Sequence, residues 1–107
     1  MGEGKLYINE RPVGRVLIQR IGPSWSHGQF LPDQEFSTFA PMFRRWSLLM
    51  HADGNYDRLS EAAGASLRQA ELAIDGLDAK LHLPSCNEWV NCAQLNIDGS
   101  MIEWKSF

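Results

Sequence analysis

Apolar positions recur with two different periods along the chain, and the period changes twice. Near the N-terminus, Lys5 to Ile8 and Val13 to Ile18 are short apolar runs separated by Asn9-Glu10-Arg11-Pro12, which predicts a β-hairpin. The alternation slips between Val13 and Val16, with Gly14 between them. Glycine tolerates the dihedrals of a bulge, so a bulge is expected at Gly14, after which Val16 and Ile18 share one face. The middle of the chain has the helical period. Phe39, Met42, Phe43, Trp46, Leu49 and Met50 fall at i, i+3, i+4, i+7, i+10 and i+11, which places all six on one helical stripe, with Arg44, Arg45 and Ser47 opposite. Pro41 then belongs in the first turn, where its missing N–H is harmless, and Ser37 or Thr38 is the expected cap. This helix should stop near His51, ahead of Asp53-Gly54-Asn55. A second helical stretch runs from Asn55 through Tyr56, Leu59, Ala63, Leu67, Ala70, Ile74 and Leu77. Gly64 interrupts it, and Ser66 followed by Gln69 is a capping-box pattern, so a break is expected near Gly64-Ala65. Ile74-Asp75-Gly76-Leu77 fits either a helix end or a turn between strands; the helix end is preferred, with a strand from Ala79 to Leu83.

Alternation by two returns at the C-terminus. Asp98-Gly99 is a preferred two-residue turn. Centred there, the register pairs Ile97 with Ser100, Leu95 with Ile102 and Ala93 with Trp104 on one face, and Asn96 with Met101, Gln94 with Glu103 and Cys92 with Lys105 on the other. The first face is apolar and the second mostly polar. The elements combine most simply as an α+β domain. One antiparallel sheet, built from the N-terminal and C-terminal hairpins, carries two or three helices on one face in the order β-β-α-α-β-β-β. The helical stripe would cover Ala93, Leu95, Ile97, Ile102 and Trp104.

Size and composition narrow the class. At 107 residues, with 44% hydrophobic and 21% charged positions, the chain is expected to form one domain over 1–107 with a core that needs no staples. The net charge of −3 leaves only small basic spots, Arg44-Arg45 and the Arg11, Arg15, Arg20 series, which argues against nucleic acid as a partner. No apolar run is long enough to span a membrane. The start MGEGKLYINE lacks the features of a signal peptide, and Leu6 stands where myristoylation wants Ser or Thr. A cytoplasmic protein is expected, and two cysteines fit a reducing compartment.

Candidate chemistry changes this picture little. His82, Cys86 and Cys92 are close in sequence, but structural zinc sites favour tighter cysteine pairs and four ligands. Asp53-Gly54-Asn55-Tyr56-Asp57 begins like a calcium loop, but Arg58 replaces the required glycine and Gly64 the bidentate glutamate. No nucleophile is framed by a known motif, and there is no phosphate-binding glycine loop. No metal, cofactor or catalytic residue is therefore expected.

Two surfaces remain. Ile21 to Asp33 reads as a loop, rich in Pro, Gly and Ser, that carries Trp25, His27 and Phe30. These three either form a binding surface or, for the aromatic pair, fold back to seal the core. The polar face of the last hairpin, Cys92, Gln94, Asn96, Met101 and Glu103, is the second candidate, as an interface with another copy. The expected function is a non-enzymatic protein-interaction or regulatory module, a homodimer or the ligand of a protein partner, with inhibition of a basic partner as one form. The alternative is a small enzyme or small-ligand binder with a pocket near the Trp25/His27 loop.

Overall fold

A computed structural model describes residues 2–51 and 61–105. The chain opens with the expected hairpin, β1 (Glu3–Ile8) and β2 (Arg11–Ile21). Its turn is Asn9-Glu10, both with positive φ (51° and 69°), the pair of dihedrals that a two-residue turn of this hand requires. The bulge is where Gly14 places it: Leu6 opposes Gly14 and Tyr7 opposes Pro12, so Val13 is the extra residue. Gly14 has φ +156°, and a Cβ there would meet the Leu31 carbonyl oxygen at 2.5 Å. The slip lets Val13 and Val16 both point into the core.

The segment expected to be a loop is a strand, β3 (Trp25–Pro32), paired with β2 along its length. Its alternation is regular, with Ser26, Gly28 and Phe30 inward and Trp25, His27 and Gln29 outward. Two of the three inward positions carry no apolar side chain, which hid the period. A single 3-10 turn (Gln34–Thr38) follows, capped by Asp33, whose carboxylate accepts the Glu35 N–H at 2.9 Å. Ser37 and Thr38, the expected caps of the following helix, lie within this turn. Helix α1 (Ala40–His51) then holds Pro41 in its first turn. Phe39 and Phe43 are buried, and Met42, Trp46 and Leu49 half-buried, as the stripe predicts. Ser47 departs from it: half-buried rather than solvated, its hydroxyl donates to Asp98 at 2.9 Å.

Helix α2 (Glu61–Asp75) runs through Gly64-Ala65 without a break. The start expected at Asn55, and the rejected calcium loop, lie outside the described residues. The helix ends where expected, with the Gly76 and Leu77 amides donating back to Leu72 and Ile74. Asp78 and Asn9 then bond reciprocally, backbone N–H to carbonyl and backbone N–H to amide side chain, which fastens the end of α2 to the first hairpin turn. Strands β4 (Ala79–Leu83), β5 (Glu88–Asn91), β6 (Ala93–Asp98) and β7 (Met101–Lys105) complete the chain.

The last hairpin turns one residue later than expected. Gly99 and Ser100 form the loop, so Asp98 pairs with Met101, Ile97 with Ile102 and Asn96 with Glu103. A second irregularity lies between Ala93 and Asn96, with Gln94 at φ +48°, and beyond it Ala93 opposes Lys105. Leu95, Ile97, Ile102 and Trp104 still face inward. Cys92 does not lie on the polar face: the bulge reverses the alternation behind it, and Cys92 is buried at 7% exposure.

All pairings are antiparallel, in the order β5-β4-β1-β2-β3-β7-β6. The two edge strands, β5 and β6, are joined by Cys92 alone. Consecutive Cα atoms are about 3.8 Å apart, so the two edges must meet at this residue and the sheet must curl upon itself. The Cys92 amide still bonds to Ala79 of β4 at 3.0 Å before the chain crosses to pair with β7. Leu6, Ile8, Val16, Phe30, Leu81, Ile102 and Trp104 fill the interior. Both helices lie against β6, and Phe39, Phe43 and Ile74 join the same core. The fold is thus α+β, a curled antiparallel sheet with its helices on one face. Among the described residues, no helix is long and apolar enough to cross a membrane.

Candidate functional site

Pairing of β3 with β7 brings the two expected surfaces together. Trp25 opposes Lys105, His27 opposes Glu103 and Gln29 opposes Met101. Trp25, His27, Met101 and Glu103 therefore share one outer face. Asn96 joins it from β6, its side-chain amide donating to Glu103 at 3.2 Å. Two candidates leave the surface: Phe30 is 1% exposed in the core, and Cys92 is buried. Phe30 takes the core-sealing alternative, while Trp25 stays partly exposed.

At the border of this face, where α1 and α2 meet β6, lies a groove of about 240 Å³. Trp25, Trp46, Glu71, Ile74, Asp75, Gln94 and Asn96 line it. Each arrives for a local reason. Trp46 sits at the edge of the α1 stripe. Glu71 and Asp75 are four residues apart on α2, and so lie one above the other beside Ile74. Asn96 stands on the outward alternation of β6, and the irregularity at Gln94 turns a second amide toward the same groove. Among the described residues, the charged groups in the lining are the two carboxylates. Beside it, the Lys105 ammonium stands 5.0 Å from the centre of the Trp25 ring. His27 does not reach the groove; it remains between Arg20 and Glu103 on the outer face.

No protein-family model matches this chain. Searches of the curated proteins and of the solved structures return no significant match either. The chemistry of the groove therefore rests on its own residues.

Among the described residues, no group of three or more His, Cys, Asp or Glu side chains is placed to hold a metal ion. His82 is within 3.0 Å of the Asn87 side chain through Nε2, and its ring lies 4.7 Å from that of Trp89. Cys86 is exposed on the β4–β5 turn, whereas burial pushes the Cys92 thiol up to about 12. A thiol held that high carries almost no thiolate near neutrality and is a poor nucleophile. Trp46, Glu71 and Asp75 were absent from the sequence candidates. The i, i+4 acidic pair was visible in the sequence, but nothing local said that it would face β6.

Proposed function

We propose that the chain is a non-enzymatic interaction module of the cytoplasm whose groove receives a cationic side chain, arginine or lysine, from a protein partner. The convergence of two indoles and two carboxylates in one concavity carries this reading. An ammonium or guanidinium over an indole face gains about 0.5–1 kcal/mol at an exposed site. Each solvent-exposed carboxylate adds up to about 1 kcal/mol, less at physiological salt. Gln94 and Asn96 supply amide oxygens for the remaining N–H groups. Arginine is favoured over lysine, because its planar head can stack on an indole while donating two parallel bonds to a carboxylate. Lys105 already places a cation against the Trp25 ring, which supports the view that the face accepts one. The net charge of −3 would steer a basic partner toward the molecule without fixing where it binds.

The test is a titration with an arginine-rich peptide, followed by calorimetry and tryptophan fluorescence. The double variant Glu71→Gln/Asp75→Asn is expected to weaken binding about tenfold, the loss of roughly two exposed ion pairs. A control variant with the same charge change elsewhere, Glu35→Gln/Glu88→Gln, should change it less than about threefold, since remote charges act only through screened attraction. Equal losses in the two variants would assign the binding to net charge and remove the groove from the account.

A further inference from the structure

The outer face beside β5 carries a second concavity, which shares no lining residue with the groove. Across β1, β4 and β5 the registers set Tyr7, Lys80 and Asn91 side by side, and Lys5, His82 and Trp89 side by side one step further along. Leu6, Ile8, Ala79 and Leu81 take the inward positions of β1 and β4, so their outward neighbours share this face. The Tyr7 and Trp89 rings flank β4 and meet with centroids 5.1 Å apart. Glu10, from the first hairpin turn, and Asp78, from the link between α2 and β4, join Tyr7, Lys80, Trp89 and Asn91 around a concavity of about 520 Å³. We propose that this concavity binds a neutral saccharide, with one sugar ring on the Trp89 indole and its hydroxyls on the polar side chains around it.

The stacking platform is exposed and held in place. Trp89 is 54% exposed, while its ring packs against Tyr7 and lies 4.7 Å from that of His82. The His82 ring is itself fixed by Asn87, which turns the chain between β4 and β5 at φ 53°. A platform already ordered costs little to engage. The face of an indole is electron-rich and attracts the C–H hydrogens that cover one side of a sugar ring. The polar groups match hydroxyls, which both donate and accept: Glu10 and Asp78 accept, Lys80 donates and Asn91 does both. The Lys80 ammonium stands 3.8 Å from the Asp78 carboxylate, with both side chains about half exposed, too far for a direct hydrogen bond. A hydroxyl between them would accept from one and donate to the other. Charge selects a neutral ligand. An anion would meet Glu10 and Asp78, and a cation would meet Lys80 and the Lys5 ammonium, which lies 5.8 Å from the centre of the Tyr7 ring. A purely apolar ligand would desolvate these charges without pairing them.

Four neutral disaccharides are the probes: cellobiose, maltose, lactose and N,N′-diacetylchitobiose. At least one is expected to bind saturably with a millimolar dissociation constant, followed by saturation-transfer spectra and by the assigned Trp89 indole N–H resonance. Trp89→Ala should weaken that binding at least about tenfold, through loss of the stacking platform. Asp78→Asn, which keeps both backbone bonds to Asn9, should weaken it at least about threefold, the contribution of one hydrogen bond. Trp25→Ala, in the groove between the helices and β6, should leave it unchanged. Absence of saturable binding of all four disaccharides at tens of millimolar would overturn the proposal. Tighter binding of tetramethylammonium or inorganic phosphate at Trp89 would overturn its neutral ligand. Wild-type saccharide binding by folded Trp89→Ala or Asp78→Asn would overturn its location.

Discussion

Cys92 joins the two edge strands of the curled sheet, and its burial has a measurable consequence. Its amide donates to the Ala79 carbonyl oxygen and its thiol to the Val90 carbonyl oxygen at 3.8 Å. Desolvation disfavours the thiolate and raises the thiol from 9.0 to about 12. At pH 8, Ellman's reagent should modify Cys86 rapidly in the native protein, and Cys92 only after denaturant is added. Two fast native thiols would contradict the buried position. The same shift makes stability fall with alkaline pH. Below pH 9 both folded and unfolded chains keep the proton. Between about 9 and about 12 the unfolded chain loses it and the folded chain does not, so the folded state is progressively disfavoured by up to about 1.4 kcal/mol per pH unit. Cys92→Ser should flatten this part of the pH profile.

At the scale of elements, β3 depends on Gly28. A Cβ there would meet the Leu17 carbonyl oxygen at 2.4 Å and the Ile18 Cα at 3.2 Å, both backbone atoms that cannot move aside cheaply. Gly28→Ala is expected to destabilise by at least about 2 kcal/mol, a drop of roughly 10 °C in melting temperature for a domain of this size. Gly2→Ala, with nothing within 4 Å, is the control and should leave the melting temperature unchanged. A tolerated Gly28→Ala would mean that β2 and β3 are not held this closely. The same glycine explains why β3 was hard to read. With Ser26 and Gly28 inward and Trp25 and His27 outward, hydrophobicity runs against the usual sense of the alternation. By contrast, Val13 to Ile18, the Phe39 to Leu49 stripe and Ala79 to Leu83 show their burial directly in residue type, and those elements were legible. In the last hairpin the inward set Leu95, Ile97, Ile102 and Trp104 was legible, but the register was not: the turn falls on Gly99-Ser100 instead of Asp98-Gly99, and further along the irregularity at Gln94 reverses parity without any Gly or Pro to announce it. The groove was half legible. Trp25, Gln94 and Asn96 could be nominated from local patterns, whereas Trp46, Glu71 and Asp75 join them only through the seating of both helices against β6.

That seating predicts that the helices and the sheet unfold as one cooperative unit. β1 pairs with both β2 and β4, although the helical region separates the latter from it in sequence. β7 returns to β3, and the helices place Phe39, Phe43 and Ile74 in the core that the strands enclose. No element has a hydrophobic interior of its own to retreat to, and the two edge strands of the curled sheet meet at Cys92. Urea unfolding should therefore be a single transition, with helix content followed by far-ultraviolet circular dichroism and sheet environment followed by tryptophan fluorescence giving the same midpoint. The four tryptophans suit this comparison, since Trp25, Trp89 and Trp104 sit on three strands and Trp46 on α1. Refolding should take milliseconds to seconds, because the closing contacts are distant in sequence. If the dichroism midpoint instead preceded the fluorescence midpoint, the helical pair would be leaving before the sheet opens. The groove between α2 and β6 would then be a separable contact, and not a permanent feature of the fold.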